Sequence, residues 1–111
     1  GGTTIDEHPA VKMLIAGAEA DTEAASALVD RAAGLNPADP GLAHACALTR
    51  LSALTLCAEA VTDCLQVFGG YGYMEDYGME KRLRDMAVLK SLAGTPHYLK
   101  QFIFESREKK P

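Results

Sequence analysis

From Pro9 onward the apolar positions fall at helical spacing, not at the alternation of a strand. Val11, Ala18, Ala25 and Ala32 recur every seven residues. Leu14, Leu28 and Leu35 form a neighbouring stripe, as do Ile15 and Val29, while Glu19, Asp21, Glu23 and Asp30 fall between them. This pattern predicts a long amphipathic helix over about Pro9 to Leu35 with one core face. Asp6 and Glu7 lie at its start, where the helix dipole favours acid, and Pro9 suits a first turn whose N–H groups have no partner to lose. Gly34 weakens the helix end and Pro37 forbids its continuation. Asp39 followed by Pro40 has the form of an N-cap with Pro at the first helical position.

A second helix is predicted from about Pro40 to Phe68. Leu42, Cys46, Thr49, Ala53, Leu56, Ala60, Cys64 and Val67 keep the helical period, and Leu48, Leu51, Leu54 and Leu65 populate its other faces. A helix apolar over much of its circumference packs on several sides, which places this one centrally in a bundle or at a subunit interface. Gly69, Gly70 and Gly72 then break the pattern. A shorter helix follows, roughly Met79 to Leu92, with Glu80 and Arg84, and Lys81 and Asp85, as opposite charges four residues apart. Gly94 stops it, and Thr95-Pro96 repeats the cap-then-proline start signal. The fourth helix carries Leu99, Phe102 and Ile103 inward, and Glu105 to Lys110 reads as a charged, fraying tail. No period-2 alternation and no repeat is present. The expected fold is all-α: an antiparallel helical bundle of two long and two short helices, forming one domain over residues 1–111.

Composition narrows the function classes. The chain has 111 residues, 48% apolar and 23% charged, as globular domains do. A net charge of -4 and the absence of Trp argue against nucleic acid and anionic membrane as partners. No apolar run approaches the roughly 20 residues of a membrane span, and the start has no signal-peptide pattern. An opening Gly1-Gly2 without Met points to a piece of a longer protein. Cys46, Cys57 and Cys64 return to roughly one helical face and read as small core residues. No Cys-x-x-Cys pair or His at turn spacing suggests a metal site. Reduced thiols fit the cytoplasm, or the mitochondrial matrix in a eukaryote. His8 reads as a solvent group at a helix start and His44 as a surface residue of the second helix.

Candidate chemistry centres on the glycine-rich turn. It follows a helix, not a strand, which excludes the context of a dinucleotide fingerprint or a P-loop. Gln66-Val67-Phe68-Gly69-Gly70 still offers an amide side chain and bare backbone, a surface that suits a pyrophosphate or a plain helix stop.

The wider string resembles the last domain of the acyl-CoA dehydrogenase family. Thr62 to Tyr73 (TDCLQVFGGYGY) matches that family's Gln-x-x-Gly-Gly-x-Gly helix end, Glu80 to Asp85 (EKRLRD) its Glu-Arg/Lys-x-x-Arg-Asp helix, and Ala93-Gly94-Thr95 its Glu-Gly-Thr-like turn, all in order and at family spacing. Upstream, Asp6 to Val11 resembles the start of the preceding long helix, and Arg50 falls where the family often has Lys. The resemblance implies FAD as cofactor. Gln66, Val67, Phe68, Gly69 and Gly70 match positions contacting the flavin of the neighbouring subunit. Thr95, Pro96 and His97 match the flavin-side part of the later turn. It also implies dimers or tetramers, α,β-dehydrogenation of an acyl-CoA to a trans-enoyl-CoA, and electron transfer to an electron-transferring flavoprotein.

Two departures qualify that implication. Ala93 stands where many members place their catalytic carboxylate, and a methyl group takes no proton. The base then comes from elsewhere, as in family branches that carry it on an earlier helix, here upstream of Gly1. The backbone N–H of Ala93, with Leu92 beside it, still matches the donor to the thioester oxygen, a role that needs no side chain. Gly78 stands where the family usually has Pro. Arg84-Asp85 reads as a structural ion pair, and Glu75 and Asp76 as solvated loop residues. Three readings remain open: part of an active dehydrogenase, part of a non-catalytic subunit of a hetero-oligomer, or a helical interaction module. In each the isolated chain is expected to be inactive, to hold no FAD and to self-associate through an apolar face on its first two helices.

Overall fold

The computed structural model describes residues 8–69, 79–90 and 95–107. Four helices follow in order: α1 (Pro9–Ala33), α2 (Leu42–Phe68), α3 (Met79–Leu89) and α4 (Pro96–Ser106). There is no strand among the described residues. The all-α expectation therefore holds, with two long and two short helices. α2 is the hub: α1, α3 and α4 each pack on it.

The heptad stripe of α1 is its buried face. Ala18 and Ala25 are buried against α2, with Val11 and Ala32 half-buried at the two ends. Small side chains on this stripe let the two helices approach closely. Gly17 carries this furthest, since a Cβ built there would sit 3.3 Å from the Asp63 carboxylate of α2. Ile15 and Val29, at the margin of the stripe, are exposed, as is Met13 at 75%. On α2 the buried positions are His44, Ala47, Thr49, Ala60 and Leu65, and on α4 Leu99.

Helix ends depart from expectation by two or three residues. α1 stops at Ala33, with Gly34 as its C-cap (φ -84, ψ -4) bonding back to Asp30 and Arg31. α2 begins at Leu42, not Pro40, because Asp39 caps the turn before the helix: its Oδ1 accepts the Gly41 N–H at 2.7 Å. α3 ends at Leu89, with Lys90 in a turn; Leu92 and Gly94 lie outside the described residues. At the chain end, Glu105 and Ser106 are helical, and Ser106 is half-buried. The start of the expected tail is thus anchored.

Four side-chain expectations change. His44 is buried at 6% exposure, not on the surface. Its Nδ1 lies 2.8 Å from Ser106 Oγ on α4. The one proton of that hydroxyl goes to the Phe102 carbonyl at 2.7 Å, so His44 is the donor in the pair. Cys46 is exposed, not in the core, whereas Cys57 and Cys64 are half-buried on the face where Ala60 is buried; all three are free thiols. The large exposed apolar side chains are on α1, α3 and α4 (Tyr98 and Phe104 among them), whereas α2's are half-buried. Finally, Leu42–Val67 is long and apolar enough, by length and composition, to cross a membrane. That apolarity has a local reason: three helices pack on α2, and its charges are confined to Arg50, Glu59 and Asp63.

Candidate functional site

α2 ends in an open backbone. Gly69 takes φ 57, ψ -129, a conformation that strains any residue with a Cβ, and its N–H bonds back to the Gln66 carbonyl. Among the described residues, nothing lies within 4 Å of where a Cβ would be. The glycine is therefore needed for its dihedrals. Gln66 is exposed one turn earlier and Val67 is half-buried. Phe68 is the last helical residue; Gly70 lies outside the described residues.

α4 starts as the sequence predicts. Thr95 is its N-cap, with Oγ1 accepting the Tyr98 N–H at 3.2 Å, and Pro96 fills the first position. Thr95, Pro96 and His97 are all exposed. Leu92 and Ala93 fall outside the described residues, as do Glu75, Asp76 and Gly78. On α3, Lys81 Nζ and Asp85 Oδ2 make the expected i,i+4 bridge at 2.9 Å, well exposed and worth a few tenths of a kcal/mol at most. Among the described residues, no three His, Cys, Asp or Glu side chains gather as metal ligands.

The two candidate clusters do not meet within one chain. His44 near the start of α2 holds Ser106 at the end of α4, while Cys46, Ala47 and Arg50 border a groove with Tyr98 and Leu99. α4 thus runs antiparallel along the first half of α2, and Thr95, 11 residues before Ser106, lies level with about residue 55 of α2. Gln66 is about 11 residues further on. At 1.5 Å per residue, about 16 Å of helix separates the two clusters.

One contact was not legible as such. Arg50 Nη2 donates to the Leu89 carbonyl at 2.9 Å, joining α2 to the last residue of α3 across 39 positions. The signal available was a cation set between Thr49 and Leu51 on a leucine-rich helix, at a position matched to a family Lys.

Comparison with known proteins decides the family. The profile described as "Acyl-CoA dehydrogenase, C-terminal domain" matches residues 1–106. The chain belongs to the acyl-CoA dehydrogenase family. It is 34% identical over 93 residues to cyclohexane-1-carbonyl-CoA dehydrogenase of Geobacter metallireducens, covering 84% of this chain and 24% of that protein. It is 33% identical over 105 residues to mitochondrial isobutyryl-CoA dehydrogenase of Dictyostelium discoideum, covering 94% of this chain and 25% of that protein. It is 31% identical over 94 residues to the caffeyl-CoA reductase-Etf complex subunit CarC of Acetobacterium woodii, with 85% and 25% covered. The chain thus spans about a quarter of the length of these relatives. No solved structure matches it significantly.

Proposed function

We propose that this acyl-CoA dehydrogenase-family chain is the C-terminal, FAD-contacting and assembly domain of a larger enzyme, which dehydrogenates an acyl-CoA thioester to its trans-enoyl-CoA. The observation that carries the reading is the end of α2. Gly69 opens the backbone by its positive φ, meets no described residue where a side chain would be, and follows the exposed amide of Gln66. Those features suit close approach by a planar or phosphate-bearing group, so the residues present fit a flavin nucleotide. Gln66, Val67, Phe68, Gly69 and Gly70 hold it from one side, and Thr95 and His97 from the other cluster.

FAD, when bound, supplies the acceptor for the β-hydrogen. This chain's own part is to bind and polarise. The Ala93 N–H donates to the thioester oxygen and stabilises the enolate-like charge as the α-proton leaves. Ala93 has no group to take that proton, so the base belongs to a segment preceding Gly1. The name of one relative, a subunit of an Etf complex, supports an electron-transferring flavoprotein as electron acceptor. Exposed Met13, Val29, Tyr98 and Phe104 support burial of this domain's surface in a homo-oligomer of two or four copies. The chain is a single helical domain, and its free thiols suit the cytoplasm or the mitochondrial matrix.

Ala93 also favours a second reading, a non-catalytic subunit of a hetero-oligomer. One experiment separates the two. The full-length flavoprotein is mixed anaerobically with a panel of acyl-CoAs while flavin absorbance is followed. Bleaching by one of them establishes the dehydrogenase; a bound flavin that none bleaches establishes the non-catalytic subunit.

A further inference from the structure

We infer that Cys46 is a site of S-acylation, taking the acyl group of a thioester with a medium-length apolar chain into the groove between the last turns of α1 and the first half of α2. Only the supply of acyl thioesters rests on the function proposed above; the site itself stands on described residues.

Cys46 is exposed, whereas Cys57 and Cys64 are half-buried. On its α1 side it borders an open groove of about 400 Å³, within the size range of small-molecule sites. Val29 and Ala33 of α1 and Ala53 and Leu54 of α2 make the walls apolar. What singles this thiol out is Thr49, three residues on and lining the same groove. Residues three or four apart share a helix face, with Cβ atoms about 5–6 Å apart. Thr49 is only 8% exposed, and its Oγ1 has no partner. Thr22, Thr55 and Thr62 each spend the hydroxyl on the carbonyl four residues earlier, and Thr49 does not. A buried hydroxyl without a partner is costly, and an acceptor that enters the groove relieves that cost. Arg50, one turn beyond Cys46, lines the groove as well and adds positive charge. Accessible thiols in electropositive surroundings are the ones that react.

The step is an exchange of thioesters. Cys46 Sγ attacks the carbonyl carbon, the bond from that carbon to the CoA sulfur breaks, and the thiol proton passes through water to the departing sulfur. Nothing is oxidised or reduced. The Thr49 O–H donates to the carbonyl oxygen as charge grows on it, and the acyl chain lies along Val29, Ala53 and Leu54.

The test uses the full-length flavoprotein, incubated with octanoyl-CoA or acetyl-CoA and read by intact and peptide mass. One octanoyl group per chain is expected on the Cys46 peptide, released by neutral hydroxylamine as a thioester is, and absent in Cys46→Ser. Acetylation is expected to be about tenfold slower, because most of the apolar contact is lost. Thr49→Val is expected to slow acylation about 100-fold, while iodoacetamide, which develops no oxyanion, alkylates Cys46 at the parent rate. That pairing separates a hydroxyl that stabilises the step from one that only shapes the fold. No adduct, equal acylation of Cys57 or Cys64, or an undiminished rate in Thr49→Val overturns the inference. So does a Cys46 closed to iodoacetamide in the assembled protein, which gives the groove to a second copy. Flavin bleaching is scored separately: a protein reduced by no acyl-CoA loses the dehydrogenase reading, and the adduct on Cys46 is counted all the same.

Discussion

Gly17→Ala sets two effects of known size against each other. Gly17 is in the middle of α1, half-buried against α2. Glycine in a helix interior is about 1 kcal/mol worse than alanine, largely through the entropy of the unfolded chain. The opposing effect is steric: the new methyl meets Asp63 Oδ2 at 3.3 Å, a few tenths of an ångström inside ordinary contact. The atom met is the tip of a rotatable carboxylate on a half-buried residue, not backbone. A small χ adjustment within its rotamer well relieves such a contact for a few tenths of a kcal/mol. Propensity therefore wins, by about 0.5 kcal/mol. For a domain of this size that raises Tm by about 2 °C. Thermal unfolding followed by far-UV circular dichroism reads the shift. Gly17→Ala in an Asp63→Ala background isolates the contact, and there the gain should approach the full propensity difference of about 1 kcal/mol. A drop in Tm that Asp63→Ala does not relieve refutes the argument, because the helix backbones themselves, and not the carboxylate, would then limit the approach.

Three further substitutions probe other joints. Among the described residues, Thr49 Oγ1 is buried without a partner, whereas Thr22, Thr55 and Thr62 each bond back to the carbonyl four residues earlier; Thr49→Val should therefore stabilise the chain by about 1 kcal/mol in urea unfolding, and a loss would mean that the hydroxyl has a partner in solution. His44→Ala removes the donor to Ser106 and leaves a gap between α2 and α4, and should lower unfolding free energy by about 2 kcal/mol, with faster hydrogen exchange in the last turn of α4; exchange confined to other helices would refute the tie. Gly69→Ala meets no atom within 4 Å among the described residues, and its positive φ sets a backbone penalty of about 1–3 kcal/mol; in the full-length protein it should release flavin on gel filtration while the helix content of α2 persists.

The fold was legible where periodicity is an unambiguous guide. The seven-residue alanine stripe named the face of α1 that packs, and the apolar circumference of α2 named the helix on which the others lie. Helix starts were less legible when two signals competed. Asp39-Pro40 has the form of a helix cap, yet Asp39 spends its carboxylate on Gly41 in the turn, and α2 begins later. Thr95-Pro96 carries the same form, and there the cap is realised. The difference lies on the C-terminal side of each proline: Gly41 after Pro40 loosens the first turn, whereas His97-Tyr98 after Pro96 continues a helix. His44 was misplaced because spacing along α2 says nothing of α4. Only the return of Ser106 from 62 residues away turns that face inward. Cys46 was misplaced for the converse reason, since the stripe it shares with buried Thr49 and Ala60 is left exposed at its start, beside Tyr98.

The candidate site was legible as residues but not as an arrangement. The glycine motif and the threonine cap were each found from local signals, and each has the conformation its chemistry needs. Their separation has a tertiary origin. α4 is pinned to the first half of α2 by Leu99 and by the His44–Ser106 bond, while the glycine motif sits at the far end of the same 27-residue helix. A rigid helix cannot fold back to join them. Either one extended ligand of at least about 16 Å reaches from Gln66 to Thr95, or the two ends serve different binding events. The proposed function takes the second course, with the glycine end facing the flavin of a neighbouring copy and the Thr95 end facing the flavin of its own. On that reading oligomerisation is a condition of catalysis and not an addition to it, since no copy of this domain presents both clusters to one compact ligand.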